Sequence, residues 1–151
     1  MKRMKLTINT DKRFIETEIT VNCNQINEEI ERLVTSIRMY ELKISGKKNG
    51  QQYSLEVSDI VYIESVDKRT FLYTLTDTYE SSLKLYELED KLVDVDFLRA
   101  SKNCLVNLNH IISIENELYS RLILTMPRNV KIIVSRQYAF VIRQKLEAYN
   151  G

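Results

Sequence analysis

The chain has 151 residues, 44% of them hydrophobic and 28% charged, with three Gly, one Pro and two Cys. That suffices for one domain with a small extension and a buried core, and it excludes collagen-like, linker-like and low-complexity classes. The net charge of +1 hides a segregation: residues 97–145 hold eight Lys/Arg against two Glu, residues 1–96 fourteen basic against eighteen acidic, so the C-terminal part can face a polyanion.

At the N-terminus, Met1 to Lys5 is basic, but a mixed run follows in place of the apolar block of a secretory leader. No window anywhere approaches the roughly eighteen apolar residues of a membrane span. Cys23 and Cys104 are far apart and suggest no disulfide framework. These features predict a reduced, cytoplasmic setting.

The first forty residues read β-β-α. Leu6 and Ile8 alternate with polar neighbours, as do Ile19, Val21 and Cys23, the pattern of half-buried strands. Asn24 is the expected N-cap, with Glu28, Glu29 and Glu31 at the positive end of the helix dipole. Ile26, Ile30, Leu33, Val34 and Ile37 then form one helical stripe. The stripe can pack on its own strands, on the rest of the chain, or on a second copy.

A boundary falls near Tyr40 to Leu42, giving a small unit over 1–41 and a second over 42–151. Beyond it the period becomes two, and nine Tyr with many Ile, Val and Thr favour strands. Asn49-Gly50 sits between Leu42/Ile44 and Tyr53/Leu55/Val57, which predicts a type I′ hairpin. Further strands are predicted over 60–65, 71–75 and 78–81, with Asp77 in the turn. Ser81-Ser82 is the expected cap of a short helix with Leu85, Leu88 and Leu92 inward and Glu87 paired with Lys91. Strands resume over 104–107, 111–115, 121–125 and 130–134, with Pro127-Arg128-Asn129 as the last turn. Ser135 caps a final helix whose Tyr138, Val141, Ile142 and Leu146 share a face. The fold class expected is mainly β, α+β overall.

Catalysis finds no support. His110 is the one histidine and has no metal-ligand spacing around it, so no metal site is expected. Ser135 has no candidate base in sequence and is better read as a helix cap. A glycine-rich phosphate loop is absent, and no cofactor is implied.

Five short elements are more informative: Ile60 to Glu64, the Leu-rich run Leu83 to Leu92, Phe97 to Asn103, Leu105 to Asn107, and Ser135 to Tyr138. In this order and spacing they resemble the LytTR family of bacterial DNA-binding domains, over roughly residues 42–147. The resemblance implies an elongated β fold with short helices, here preceded by the β-β-α unit. It implies a response-regulator-like transcription regulator that sets loops and a helix start in successive major grooves of direct-repeat duplex sites. A homodimer, at least on DNA, is implied too, and for members of about this size pairing with a small membrane protein that restrains them. Regulators of this family often carry a receiver domain upstream, for which forty residues are too few.

The contacts implied fall in three places. Arg136 stands in the first turn of the last helix, just after Ser135, where backbone amides can hold a phosphate while the guanidinium reaches a guanine edge. Ser101, Lys102 and Asn103, flanked by Arg99, occupy a loop between the short helix and the next strand. Lys68, Arg69 and Thr70 occupy a strand-to-strand loop. Two positions depart from the family: Asn103 stands where Ser is usual, and Ser101 where His is frequent, which changes reach at both. Tyr62, Glu64, Phe97, Asn107 and Tyr138 are expected to hold the fold. The competing reading is an interaction module for protein or a small ligand, supported by the modest net charge and the acidic first ninety-six residues. On the DNA-binding reading the N-terminal unit serves dimerisation or partner docking, unless its helix stripe packs on its own strands.

Overall fold

A computed structural model describes residues 3–150, with side chains to 147; residues 1–2 and 151, the outer ends of the two expected units, lie outside it. Residues 3–27 form no strand. Both alternating stretches stand in solvent, so the expected β-β-α unit is reduced to its helix. A two-stranded hairpin is marginal alone, and no third strand of the described chain offers itself. Within this stretch the Phe14 amide donates to the Asp11 carbonyl at 3.1 Å, a turn tightened by the Arg13–Asp11 ion pair.

Helix α1 spans Glu28–Glu41. Its cap is Asn27, not Asn24: the Asn27 Oδ1 accepts the Ile30 amide at 3.0 Å, directly before the acidic first turn. Ile26 is thereby left outside the helix and exposed. Ile30, Leu33, Val34 and Ile37 are half-buried, while Met39 near the C-terminus is buried. The helix ends where Leu42 turns extended and its amide reaches the carbonyls of Arg38 and Met39.

Strands β1 Lys43–Lys48 and β2 Gln51–Glu56 follow, joined by Asn49-Gly50, both at positive φ as a type I′ turn requires. Then come β3 Tyr62–Val66, β4 Arg69–Tyr73 and β5 Thr78–Ser81. Helix α2 is Leu85–Leu92, with Leu85, Leu88 and Leu92 buried as the spacing predicted. Ser81-Ser82 does not cap it: Ser81 ends β5, and its hydroxyl accepts the Leu83 amide. The Glu87 carboxylate turns back to the Lys84 amide at 3.1 Å, which takes it from the expected pairing with Lys91.

Strand β6 Phe97–Ser101 lies in a stretch expected to be loop; β7 is Cys104–Asn107. A second sheet is built from β8 Ser113–Asn116, β9 Leu122–Met126 and β10 Val130–Val134, and helix α3 Arg136–Asn150 closes the chain. The seven-stranded sheet runs β2-β1-β5-β4-β3-β7-β6, and the three-stranded sheet β10-β9-β8. All neighbouring strands pair antiparallel.

The large sheet has a core on each face. On one, Met39, Leu88 and Leu92 pack with Ile44, Ile63, Leu72, Phe97 and Leu105. On the other, Ala100, Cys104 and Val106 meet Leu122, Leu124, Met126, Val134 and α3 through Ala139 and Ile142. Strand β7 alternates between the two cores, so all four of its residues are buried. Asn107, fully buried between them, is satisfied: its Nδ2 donates to the Ile60 carbonyl at 2.9 Å and its Oδ1 accepts the Asn109 amide at 3.0 Å.

Candidate nucleic-acid interface

Strand β6 departs from regular pairing at one residue. Register runs Arg99↔Leu105, then Ser101↔Cys104, so Ala100 is bulged. The Ala100 carbonyl thereby accepts the Ser135 amide at 2.9 Å. Ala100 and Ala139 are both fully buried in the same cluster, and their small side chains let the start of α3 sit close on the strand. The Ser135 carbonyl accepts the amides of Tyr138 and Ala139, so Ser135 holds the expected N-cap position and Arg136 opens the helix, exposed.

Lys102 and Asn103 form the two-residue turn of the β6–β7 hairpin, in place of a loop leading to a single strand. Several bonds fix it. The Ser101 hydroxyl accepts the Asn103 amide at 3.3 Å, and the Asn103 carbonyl accepts the Ser65 amide at 2.8 Å. The Arg99 guanidinium donates to the Lys102 carbonyl and sits 3.2 Å from the Glu89 carboxylate of α2. Only 16% of the Arg99 side chain is exposed, so it serves the turn from behind. Lys102 and Asn103 point outward, exposed.

Strands β3 and β7 are antiparallel, which puts the end of β3 beside the start of β7. The β3–β4 turn therefore lies at the same end of the sheet. Val66 pairs with Arg69, leaving Asp67 and Lys68 as a two-residue turn with positive φ at both. Of the three expected contacts here, Lys68 and Arg69 are exposed, and Lys68 alone of the two has no ion-pair partner among the described residues. Arg69 lies in β4, and its guanidinium forms a two-pronged pair with Glu80 of β5, both bonds 2.9 Å, over the Phe71 ring. Thr70 is turned into the sheet with 5% exposure, which leaves it almost no surface to offer a ligand.

Three segments distant in sequence thus meet at one end of the large sheet: the turn at Lys68, the turn at Lys102-Asn103, and the start of α3 at Ser135-Arg136. The side chains of Lys68, Lys102 and Arg136 make no hydrogen bond or ion pair among the described residues. Cations left without protein partners, around a helix start whose first amides lack intrahelical acceptors, suit phosphate oxygens and base edges. Glu89 and the bulged Ala100 were not singled out in the sequence. Their roles are positional, and the one hint was a small residue breaking the alternation of Phe97 to Ser101.

The remaining candidates are structural. His110 donates through Nε2 to the Ser58 carbonyl at 2.7 Å. Tyr62 stacks on Tyr73 with ring centres 4.2 Å apart, and burial, with Tyr73 and Glu64 beside it, pushes its hydroxyl up to about 12. Burial likewise pushes the Cys104 thiol up to about 12, aided by Glu64 and opposed by Arg99; such a thiol stays protonated at neutral pH. Among the described residues no three His, Cys, Asp or Glu gather as metal ligands, and no helix is long and apolar enough to cross a membrane.

Comparison with known proteins gives this geometry a family. The chain is 30% identical over 122 residues to the sensory transduction protein LytT of Bacillus cereus, covering 81% of this chain but 49% of LytT, about half its length. It is 24% identical over 110 residues to an uncharacterized HTH-type transcriptional regulator of Staphylococcus aureus strain MSSA476, 72% of this chain and 74% of that one. Among solved structures, the LytTr DNA-binding domain of a Bacillus cereus protein described as a methyl-accepting/DNA response regulator superposes with a TM-score of 0.65. It has 28% identity and covers 69% of this chain and 95% of its own. The family model for the LytTr DNA-binding domain matches residues 50–147, the stretch that holds both hairpin turns and the α3 start, and the chain belongs to that family.

Proposed function

We propose that this protein is a cytoplasmic transcription regulator that reads duplex DNA through the end of the large sheet where Lys68, Lys102, Asn103 and Arg136 converge. The observation that carries the reading is the pair of backbone bonds, Ser135 to Ala100 and Ser65 to Asn103, that bring the three segments together. Arg136 reads a base: it starts from a fixed helix turn, and a guanidinium can bond guanine at two atoms. Lys102, on a two-residue turn, serves a base or a phosphate, with Asn103 beside it. Lys68, a lone ammonium on its own turn, serves phosphate. Ser101, Ser135 and Arg99 position these groups. The three segments engage successive major grooves, and two copies occupy direct-repeat half-sites.

The test is competition binding with single-base operator variants. Arg136→Ala is expected to cost about 1–3 kcal/mol on the specific site and to relax preference at one base pair. Arg136→Lys is expected to leave preference relaxed, because an ammonium lacks the planar fork. Equal weakening of specific and nonspecific DNA by Arg136→Ala would make it a phosphate anchor and move readout to the 101–103 turn.

A further inference from the structure

The stretch that precedes α1 has a sequence built for strands and no partner. Seven large apolar side chains between Met4 and Ile26 stand exposed, Leu6 at 86% and Ile15 at 99%. Isolated exposed apolar residues are ordinary, but a contiguous set is not. Together these are of the order that a stable interface takes from each partner, about 800 Å². The charges are sorted as well. Residues 3–13 carry Arg3, Lys5, Lys12 and Arg13 against Asp11, whereas residues 14–26 carry Glu16 and Glu18 and no Lys or Arg.

We propose that residues 3–26 are a dimerisation arm whose partner is the arm of a second copy of this chain. One arm provides two alternating stretches, below the three strands that a small sheet needs to stand in water. Two arms provide four. Laid antiparallel, the basic stretch of one copy meets the acidic stretch of the other, and opposite charges across paired strands stabilise the register. The apolar positions Leu6, Ile8, Ile19, Val21 and Cys23 then share a covered face, continuous with Ile26 and the half-buried stripe of α1. This inference deepens the reading that two copies act together, so its two readouts, association and Cys23 reactivity, are taken without DNA, and duplex binding is added only to tell the two readings apart.

The full chain is examined by sedimentation across a range of concentrations, alongside the rate at which Cys23 reacts with a bulky maleimide. Cys23 is exposed and Cys104 buried in the single chain, so Cys23 alone reports on the arm. The expected result is a dimer at high concentration with Cys23 protected, and a faster reaction on dilution. Ile8→Asp combined with Ile19→Asp is expected to give a monomer with Cys23 reactive at every concentration and with binding to a duplex of one half-site retained. A second pair guards against misfolding: Lys5→Glu with Lys12→Glu, and Glu16→Lys with Glu18→Lys, each weaken the dimer alone and restore it when mixed. A monomer at all concentrations overturns the proposal. So does a dimer that persists in the Ile8/Ile19 variant, or a Cys23 rate that ignores concentration. A dimer whose DNA binding is absent would sustain the arm and refute the DNA reading.

Discussion

The Arg99 guanidinium rests one edge on the Glu89 carboxylate and another on the Lys102 carbonyl. Arg99→Lys keeps the charge and loses the second edge. Because Glu89 is more than a third exposed, the expected loss of stability is modest, about 1 kcal/mol. Specific DNA affinity should fall with it as the Lys102–Asn103 turn loosens, while the dependence on salt stays as in the parent, since no phosphate contact is lost. A thermal melt beside a salt titration checks this; a shallower salt dependence with an unchanged melt would make Arg99 a phosphate contact. Cys104 gives a second residue-scale expectation. With its thiol pushed up to about 12 by burial, alkylation of the monomeric Ile8/Ile19 variant at pH 8 should stop at Cys23, and reaction of native Cys104 would contradict its packing. Lys68, Lys102 and Arg136 were legible as candidates through the family resemblance, since each alone reads as an ordinary surface charge. Arg69 and Thr70 were not separable from Lys68. The pull of Glu80 on Arg69, and the inward side of β4 on which Thr70 falls, are facts of strand register.

At the scale of elements, β1 passes close against β5 and β2 at Gly46. A Cβ there would meet the Tyr79 Cβ at 2.8 Å and the Leu55 Cδ1 at 3.0 Å. Gly46→Ala should therefore destabilise the fold by about 1–3 kcal/mol through overpacking, measured by urea denaturation; an unchanged midpoint would show that β1 and β5 can separate without cost. The Asn49-Gly50 hairpin was legible because its turn residues announce positive φ. The Asp67-Lys68 turn has the same geometry with weaker letters, and there the pairing of β3 with β4 imposes it. Strand β6 was hidden by its own bulge: Phe97-Leu98-Arg99-Ala100-Ser101 loses its alternation at Ala100, the residue whose carbonyl holds α3. The two N-terminal stretches err the other way. Their alternation is real, but period two marks a strand only when a neighbour is present to complete the ladder.

Taken whole, the molecule puts a sheet between two cores and gathers cations at one of its ends. Its overall charge of +1 does not display this, because the basic part of the chain is offset by acidic residues elsewhere, those of α1 and α2 among them. The five family elements were legible in order, and they take in the Lys102-Asn103 turn and the α3 start, with the Asp67-Lys68 turn just beyond the first of them. What they could not reveal is that two backbone bonds, from Ser135 and Ser65, bring those places together, since bonds across 35 and 38 residues are a product of topology. If that end of the sheet is the DNA-binding surface, its charges must release counterions. The most direct measurement is duplex affinity against salt for the parent and for the triple variant Lys68→Ala, Lys102→Ala, Arg136→Ala, with a thermal melt of each. The expected result is a steep linear fall of log affinity with log salt in the parent, by about 0.9 per phosphate contact, and a shallower fall in the variant with its melt preserved. A parent affinity indifferent to salt, or a folded variant with the parent's slope and affinity, would contradict it.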